Sequence, residues 1–133
     1  MVVQIMRLCL IIDIDENCVF ICTNITDISA LKNVHTLNLS YCDKITDFST
    51  LGNVHSLNLT CCNKITNVSL IELCNIHTLD LSCCDKITDV SVLCNVHTLD
   101  LSWCRKITDI STLCNVHSLN LVGCTNNETL SHY

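Results

Sequence analysis

Residues Leu93 to Thr112 read LCNVHTLDLSWCRKITDIST. Nearly the same twenty residues come before them, at Leu73 to Val92 (LCNIHTLDLSCCDKITDVSV). Leu51 to Glu72, longer by two residues, and Leu31 to Thr50 carry the same pattern, and Leu113 to Cys124 (LCNVHSLNLVGC) is an incomplete copy. Self-similarity at this period means one small unit stacked on copies of itself, each burying its apolar side against its neighbours. Such a chain has no unique centre, and nothing in it nominates a reaction.

Within a coil the apolar spacing is V-x-x-L-x-L-x-x-C-x-x-I, met in the fourth coil as Val96, Leu99, Leu101, Cys104 and Ile107. Leu-x-Leu is a period of two, so Leu99 and Leu101 leave a strand on one side while Thr98, Asp100 and Ser102 leave on the other. Equivalent strands should lie parallel and side by side, centred on Leu37-Asn38-Leu39, Leu57-Asn58-Leu59, Leu79-Asp80-Leu81, Leu99-Asp100-Leu101 and Leu119-Asn120-Leu121. After the strand and two corners a coil this short has little room for a helix. The Ile-Thr-Asp-Val-Ser run, with β-branched residues and cap formers, suits an extended segment or one 3₁₀ turn. Without helices outside, both sides advance equally, which predicts weak curvature.

The array is expected over residues 22–124: a worn half-coil at 22–30, coils at 31–50, 51–72, 73–92 and 93–112, and a partial coil at 113–124. Residues 1–21 fit the repeat poorly but are apolar enough to cover the first open end, as an amino-terminal cap must. The polar tail 125–133 is either a second cap or a frayed end.

About half of the residues are apolar and only 4% are aromatic, so the core is one of Leu, Ile, Val and Cys. A net charge of −6 argues against nucleic acid or an anionic membrane, which want clustered Lys and Arg. Lys44, Lys64, Lys86 and Lys106 form a column, but Asp43 and Asp85 stand beside two of them, and Asp47, Asp89 and Asp109 follow closely. No apolar run is long enough to span a membrane. The start, MVVQIMRLCLIIDIDEN, lacks the basic beginning of a signal peptide. The thirteen cysteines are therefore expected to be free thiols in a reducing cytoplasm or nucleus.

The spacing V-x-x-L-x-L-x-x-C-x-x-I resembles the leucine-rich repeat, with Cys in the slot that many members fill with Asn. The CxxITD run is similar to the cysteine-containing repeats of F-box substrate receptors, and ITDIST to the short repeats of internalins. The near-identical tandem copies with their VHTLNLS core look most like short leucine-rich repeat proteins of large DNA viruses. The resemblance covers about Cys22 to Cys124. It implies binding of a protein through the strand-lined side. A substrate-recognition role of the ubiquitin-ligase kind would need a second chain, because the sequence contains no F-box-like helical segment.

Each ladder that a solenoid makes has a plain reading beside a chemical one. Cys22, Cys42, Cys62, Cys84, Cys104 and Cys124 are small core residues whose S–H serves a turn carbonyl. The absence of any C-x-x-C pair removes the usual zinc framework. Cys74, Cys94 and Cys114, in a slot that elsewhere holds Lys32 and Gly52, belong to a rim. Together with Cys61 and Cys83 they are the better candidates for oxidation. His35, His55, His77, His97 and His117 stack at the strand entrance, where spaced imidazoles could also bind metal or sense pH. Asn33, Asn53, Asn75, Asn95 and Asn115 are read as corner residues, because Asn tolerates left-handed backbone. Just after the strand stands a variable column: Tyr41, Cys61, Cys83, Trp103 and Gly123. Trp and Tyr there are either contact anchors or covers for neighbouring side chains.

The expected fold is a β-rich, α/β-class leucine-rich repeat solenoid of ~20-residue coils, with a parallel sheet on one side and little helix. The expected function is protein binding through that side. Its surface comprises Thr36, Asn38, Ser40, Ser56, Asn58, Thr60, Thr78, Asp80, Ser82, Thr98, Asp100 and Ser102, edged by His35, His55, His77, His97, Tyr41 and Trp103. No catalytic residue, metal or cofactor is expected, and the architecture is compatible with end-to-end self-association. The alternatives are a structural or decaying array without a ligand, a metal- or redox-responsive Cys/His ladder and, last, an enzyme.

Overall fold

The computed structural model describes residues 10–14, 17–21 and 25–124. The expected tail 125–133, Cys22 and the first nine residues lie outside them. Seven strands form one sheet in chain order: β1 (Leu10–Ile14), β2 (Asn17–Ile21), β3 (Thr36–Asn38), β4 (Ser56–Asn58), β5 (Thr78–Asp80), β6 (Thr98–Asp100) and β7 (Ser118–Asn120). β1 and β2 are an antiparallel hairpin. β2 then pairs parallel with β3, Asn17 facing Thr36. From β3 onward every pairing is parallel and offset by one coil: Thr36 with Ser56, Ser56 with Thr78, Thr78 with Thr98, Thr98 with Ser118. The rungs run past the strand ends, for Leu39 N donates to Asn58 O at 2.8 Å and Tyr41 N to Thr60 O at 2.9 Å.

Period-two alternation sets the sides. Leu37, Leu57, Leu79 and Leu99, with Leu39, Leu59, Leu81 and Leu101, point inward and are buried. Behind them run columns of Cys (Cys42, Cys62, Cys84, Cys104, Cys124) and Ile (Ile45, Ile65, Ile87, Ile107), all buried. The equivalent leucines of the last coil, Leu119 and Leu121, are only partly buried. Each inner cysteine does more than fill space. The Sγ–H of Cys62, Cys84, Cys104 and Cys124 donates to the carbonyl of Leu39, Leu59, Leu81 and Leu101 respectively, at 3.1–3.3 Å. A thiol is small and weakly polar enough to satisfy a buried carbonyl without wanting water.

The outer turns are 3₁₀ at Ser29–Leu31, Ser49–Leu51, Ser91–Leu93 and Ser111–Asn115. The coil with two extra residues departs from the expected extended or 3₁₀ segment and forms an α-helix, α1 (Asn67–Leu73). Leu70 and Leu73, three apart, turn inward. Val68, which aligns in sequence with the buried Phe48, is carried outward and is 76% exposed, and Ile71 goes with it. Asn67 ties this helix to the next coil: its Oδ1 accepts from Thr88 N at 3.0 Å and Asp89 N at 3.2 Å, and its Nδ2 donates to Thr88 Oγ1 at 2.8 Å. The two added residues are absorbed on the outer side, and the strand register is unchanged.

The left-handed corner is also not where it was expected. Positive φ falls on Tyr41 (63°), Cys61 (59°), Cys83 (60°), Trp103 (62°) and Gly123 (77°), and on none of Asn33, Asn53, Asn75, Asn95 or Asn115. The chain bends sharply just after the strand, and four side-chain-bearing residues accept a conformation that costs an L-residue about 1–2 kcal/mol.

Candidate functional site

The bend determines which side chains reach solvent. Tyr41 and Trp103 are 56% and 48% exposed at the end of their strands. The Trp103 ring rests on Gly123 of the next coil, where an added Cβ would come within 2.5 Å of Cδ2. The guanidinium of Arg105 lies 5.7 Å from the ring centroid, within cation–π range. Trp103 therefore covers its neighbour with one part of its surface and exposes the rest to solvent.

The middle column of the strand side is committed to the fold. Asn38, Asn58, Asp80, Asp100 and Asn120 each accept, through Oδ1, the backbone N–H two residues on, at 2.8–3.1 Å. This is an Asx turn that shapes the corner. The second polar atom is engaged as well at two rungs: Asn58 Nδ2 donates to Asp80 Oδ2 at 3.1 Å, and Asn120 Nδ2 to Asp100 Oδ2 at 2.7 Å. Asp80 and Asp100 are direct partners in the sheet, so their like charges are flanked on both sides by amide donors. Thr36, Ser56, Thr78 and Thr98 are half-buried, as are Ser40, Thr60 and Ser82. Thr60 and Ser82 hydroxyls lie 3.0 Å apart. Ser102 is a correction: at 8% exposure it is buried, in a column between Ser82 and the larger Val122, and cannot be a contact residue.

Along the other edge His35, His55, His77, His97 and His117 are exposed and stacked, with successive centroids 4.5–4.7 Å apart and planes within 27°. The backbone fixes the spacing. His35, His77 and His97 carbonyls each accept two N–H groups from the next coil, for example His55 N at 2.9 Å and Ser56 N at 3.1 Å. A metal sits in the plane of the imidazole that ligates it, at about 2 Å. Parallel rings this far apart do not aim their nitrogens at one point. Among the described residues no group of three His, Cys, Asp or Glu is placed to hold a metal ion.

The His77 imidazole is held below its ordinary range, first by loss of hydrating water and then by the charges of His55 and His97. The unfolded chain thus binds more protons than the folded one at this position. Stability linked to it is present above about pH 6.5 and is lost as pH falls through the lower folded value. Denaturant unfolding at about pH 7.5 and about pH 5.5 should show a drop in stability that shrinks in His77→Gln/His97→Gln. An equal drop in both proteins would assign the acid sensitivity elsewhere.

The outer turns hold two grooves of about 340 and 210 Å³, lined by Thr88, Asp89, Ser91, Thr108, Asp109 and Thr112, and by Thr26, Asp27, Ile28, Ser29, Asp47 and Thr50. Their carboxylates are corner residues. Asp27, Asp89 and Asp109 are held below the usual range chiefly by the backbone N–H of the serine two residues on, and Asp47 chiefly by the Ser49 hydroxyl.

The chain belongs to the leucine-rich repeat family, whose repeat pattern matches residues 30–47, 53–74, 72–94 and 92–110, more than half of the sequence. Among solved structures it is similar to an internalin from Listeria monocytogenes, with a TM-score of 0.54 and 32% sequence identity. The likeness covers 71% of this chain and 30% of the internalin's. A search of curated proteins gives no match.

Proposed function

We propose that this chain is a protein-binding scaffold whose contact edge is the column of left-handed corners beside the strands, with Trp103 as its anchor. The observation that carries this is a half-exposed indole propped on Gly123, beside Arg105, next to a sheet surface of short side chains. Interfaces concentrate their energy in such aromatic anchors, and the short residues around them exclude water. The family and the internalin likeness support the general role. Asp80 and Asp100, adjacent in the sheet, and the net charge of −6 favour a partner that brings Lys or Arg to meet them. The buried S–H groups that donate to backbone carbonyls support a reducing compartment, cytoplasm or nucleus, where they keep their protons.

The test is site-directed photo-crosslinking in lysate of the source organism. A probe at Thr98 should capture a discrete partner, and Trp103→Ala should weaken that capture by about tenfold or more. A probe at Ser91, on the outer turn, should not capture it. Equal capture from both positions, or capture indifferent to Trp103, would overturn the assignment of this side.

A further inference from the structure

The corner column places two thiols on consecutive rungs. Cys61 and Cys83 have the same backbone conformation, φ 59° and 60°, so their side chains leave in the same direction. The rung beside them is closed: Cys61 N donates to Ser82 O at 2.9 Å, and Cys83 N to Ser102 O at 2.8 Å. One strand spacing, about 4.8 Å, separates them, inside the Cα range of a disulfide. Both are half-exposed and free. The inner cysteines differ on each count. They are buried, the S–H groups of Cys62, Cys84 and Cys104 are spent on leucine carbonyls, and burial pushes the Cys62 and Cys104 thiols up to about 12 and Cys84 higher still. The rim thiols Cys74 and Cys114 also have other partners, Ile71 O at 3.1 Å and Asn115 Oδ1 at 3.9 Å.

We infer that Cys61 and Cys83 are a redox modification site, closing a disulfide between adjacent coils by exchange with a small-molecule disulfide of the glutathione type. The Cys61 side chain lies between two groups that hold their protons above the ordinary range. The Tyr41 hydroxyl does so chiefly through its hydrogen bond to Cys61, and the Cys83 thiol through burial first and then through Cys61. In the first step Cys61 Sγ attacks the reagent's S–S bond. A protein–reagent disulfide forms, and one thiol leaves with the electron pair of the broken bond. In the second step Cys83 loses its proton to solvent and attacks Cys61 Sγ, expelling the second reagent thiol. The protein loses two protons and two electrons, and the reagent disulfide gains both to become two thiols. Closing the bond needs the two Cβ atoms to approach by about an ångström from the strand spacing. The loop it closes is the coil that carries α1. The reaction requires nothing from the proposed binding role.

The wild-type chain is incubated with glutathione disulfide, its remaining thiols are alkylated after unfolding, and the products are mapped by non-reducing peptide mass spectrometry with fragment ions. The expected product is a Cys61–Cys83 cross-link, two hydrogens lighter than the reduced pair and reversed by dithiothreitol, with Cys42, Cys62, Cys84 and Cys104 alkylated. In Cys83→Ser the expected product is a stable glutathione adduct on Cys61. If Cys61 of the wild type keeps the adduct as it does in Cys83→Ser, or if the cross-link joins Cys74, Cys94 or Cys114 instead, the pair is not the site.

Discussion

Leu79→Ala should lower the stability of the folded chain by about 2–5 kcal/mol, the range for removing a large side chain from a packed core. Leu79 is 1% exposed in the middle of the stack, with Leu57 and Leu99 as its direct partners on the two sides. The deleted atoms are lost from two interfaces at once, and neither neighbour can move in, because the backbone rungs hold the coils at a fixed spacing. For a chain of this size the loss is a large share of the total, which is typically about 5–15 kcal/mol. Leu119→Ala, the same deletion in the last described coil, should cost clearly less, because that side chain is only partly buried. Urea unfolding of both variants measures the difference. Equal midpoints would mean that the inner and terminal coils do not differ in packing.

Gly123→Val should be the second most damaging change, for two separable reasons. The backbone at Gly123 has φ +77°, which a β-branched residue adopts at a cost of about 1–2 kcal/mol. The new Cβ would also lie 2.5–2.8 Å from three ring atoms of Trp103, so the indole must leave its seat. Overpacking of this kind costs about 1–3 kcal/mol. Trp103 is the sole tryptophan, so its fluorescence reports the move directly. Emission should shift to the red, together with a lower unfolding midpoint. Gly123→Ala should show the same signs to a smaller degree. An unshifted spectrum in both variants would show that the ring does not rest on Gly123, and the proposed contact edge would lose its support.

The stack itself was legible because a core shared by identical coils forces its spacing onto every copy. Leu99, Leu101, Cys104 and Ile107 could be placed without knowing anything beyond their neighbours. The corner was not legible in the same way. Asn33 and its equivalents looked like left-handed residues because Asn tolerates that backbone, yet the bend falls on Tyr41, Cys61, Cys83 and Trp103, none of which favours it. Gly123 at the same slot was the available signal, and it stands in one coil only. Helix α1 was hidden because its residues give no repeat to compare. Two extra residues let the turn wind as α, which moved Leu70 into the place that alignment assigns to Val68.

The candidate surface was readable as a side, not as a set of available atoms. Whether Asn58 or Asp80 is free for a ligand depends on where the next N–H points, and that follows from the bend. Ser102 fell on the expected side and is nonetheless buried, which alternation along its own strand does not disclose.

The constant offset of the sheet also bears on how the chain reaches this state. Thr36 meets Ser56, Ser56 meets Thr78, and the same interval recurs to Ser118. No pairing between β3 and β7 asks the chain to close a loop longer than one coil, so the entropy lost at each addition is nearly the same. Such a chain has no single nucleus imposed by topology. Two neighbouring coils that meet anywhere present a ready edge to the third, and order spreads outward in both directions as in the closing of a zipper.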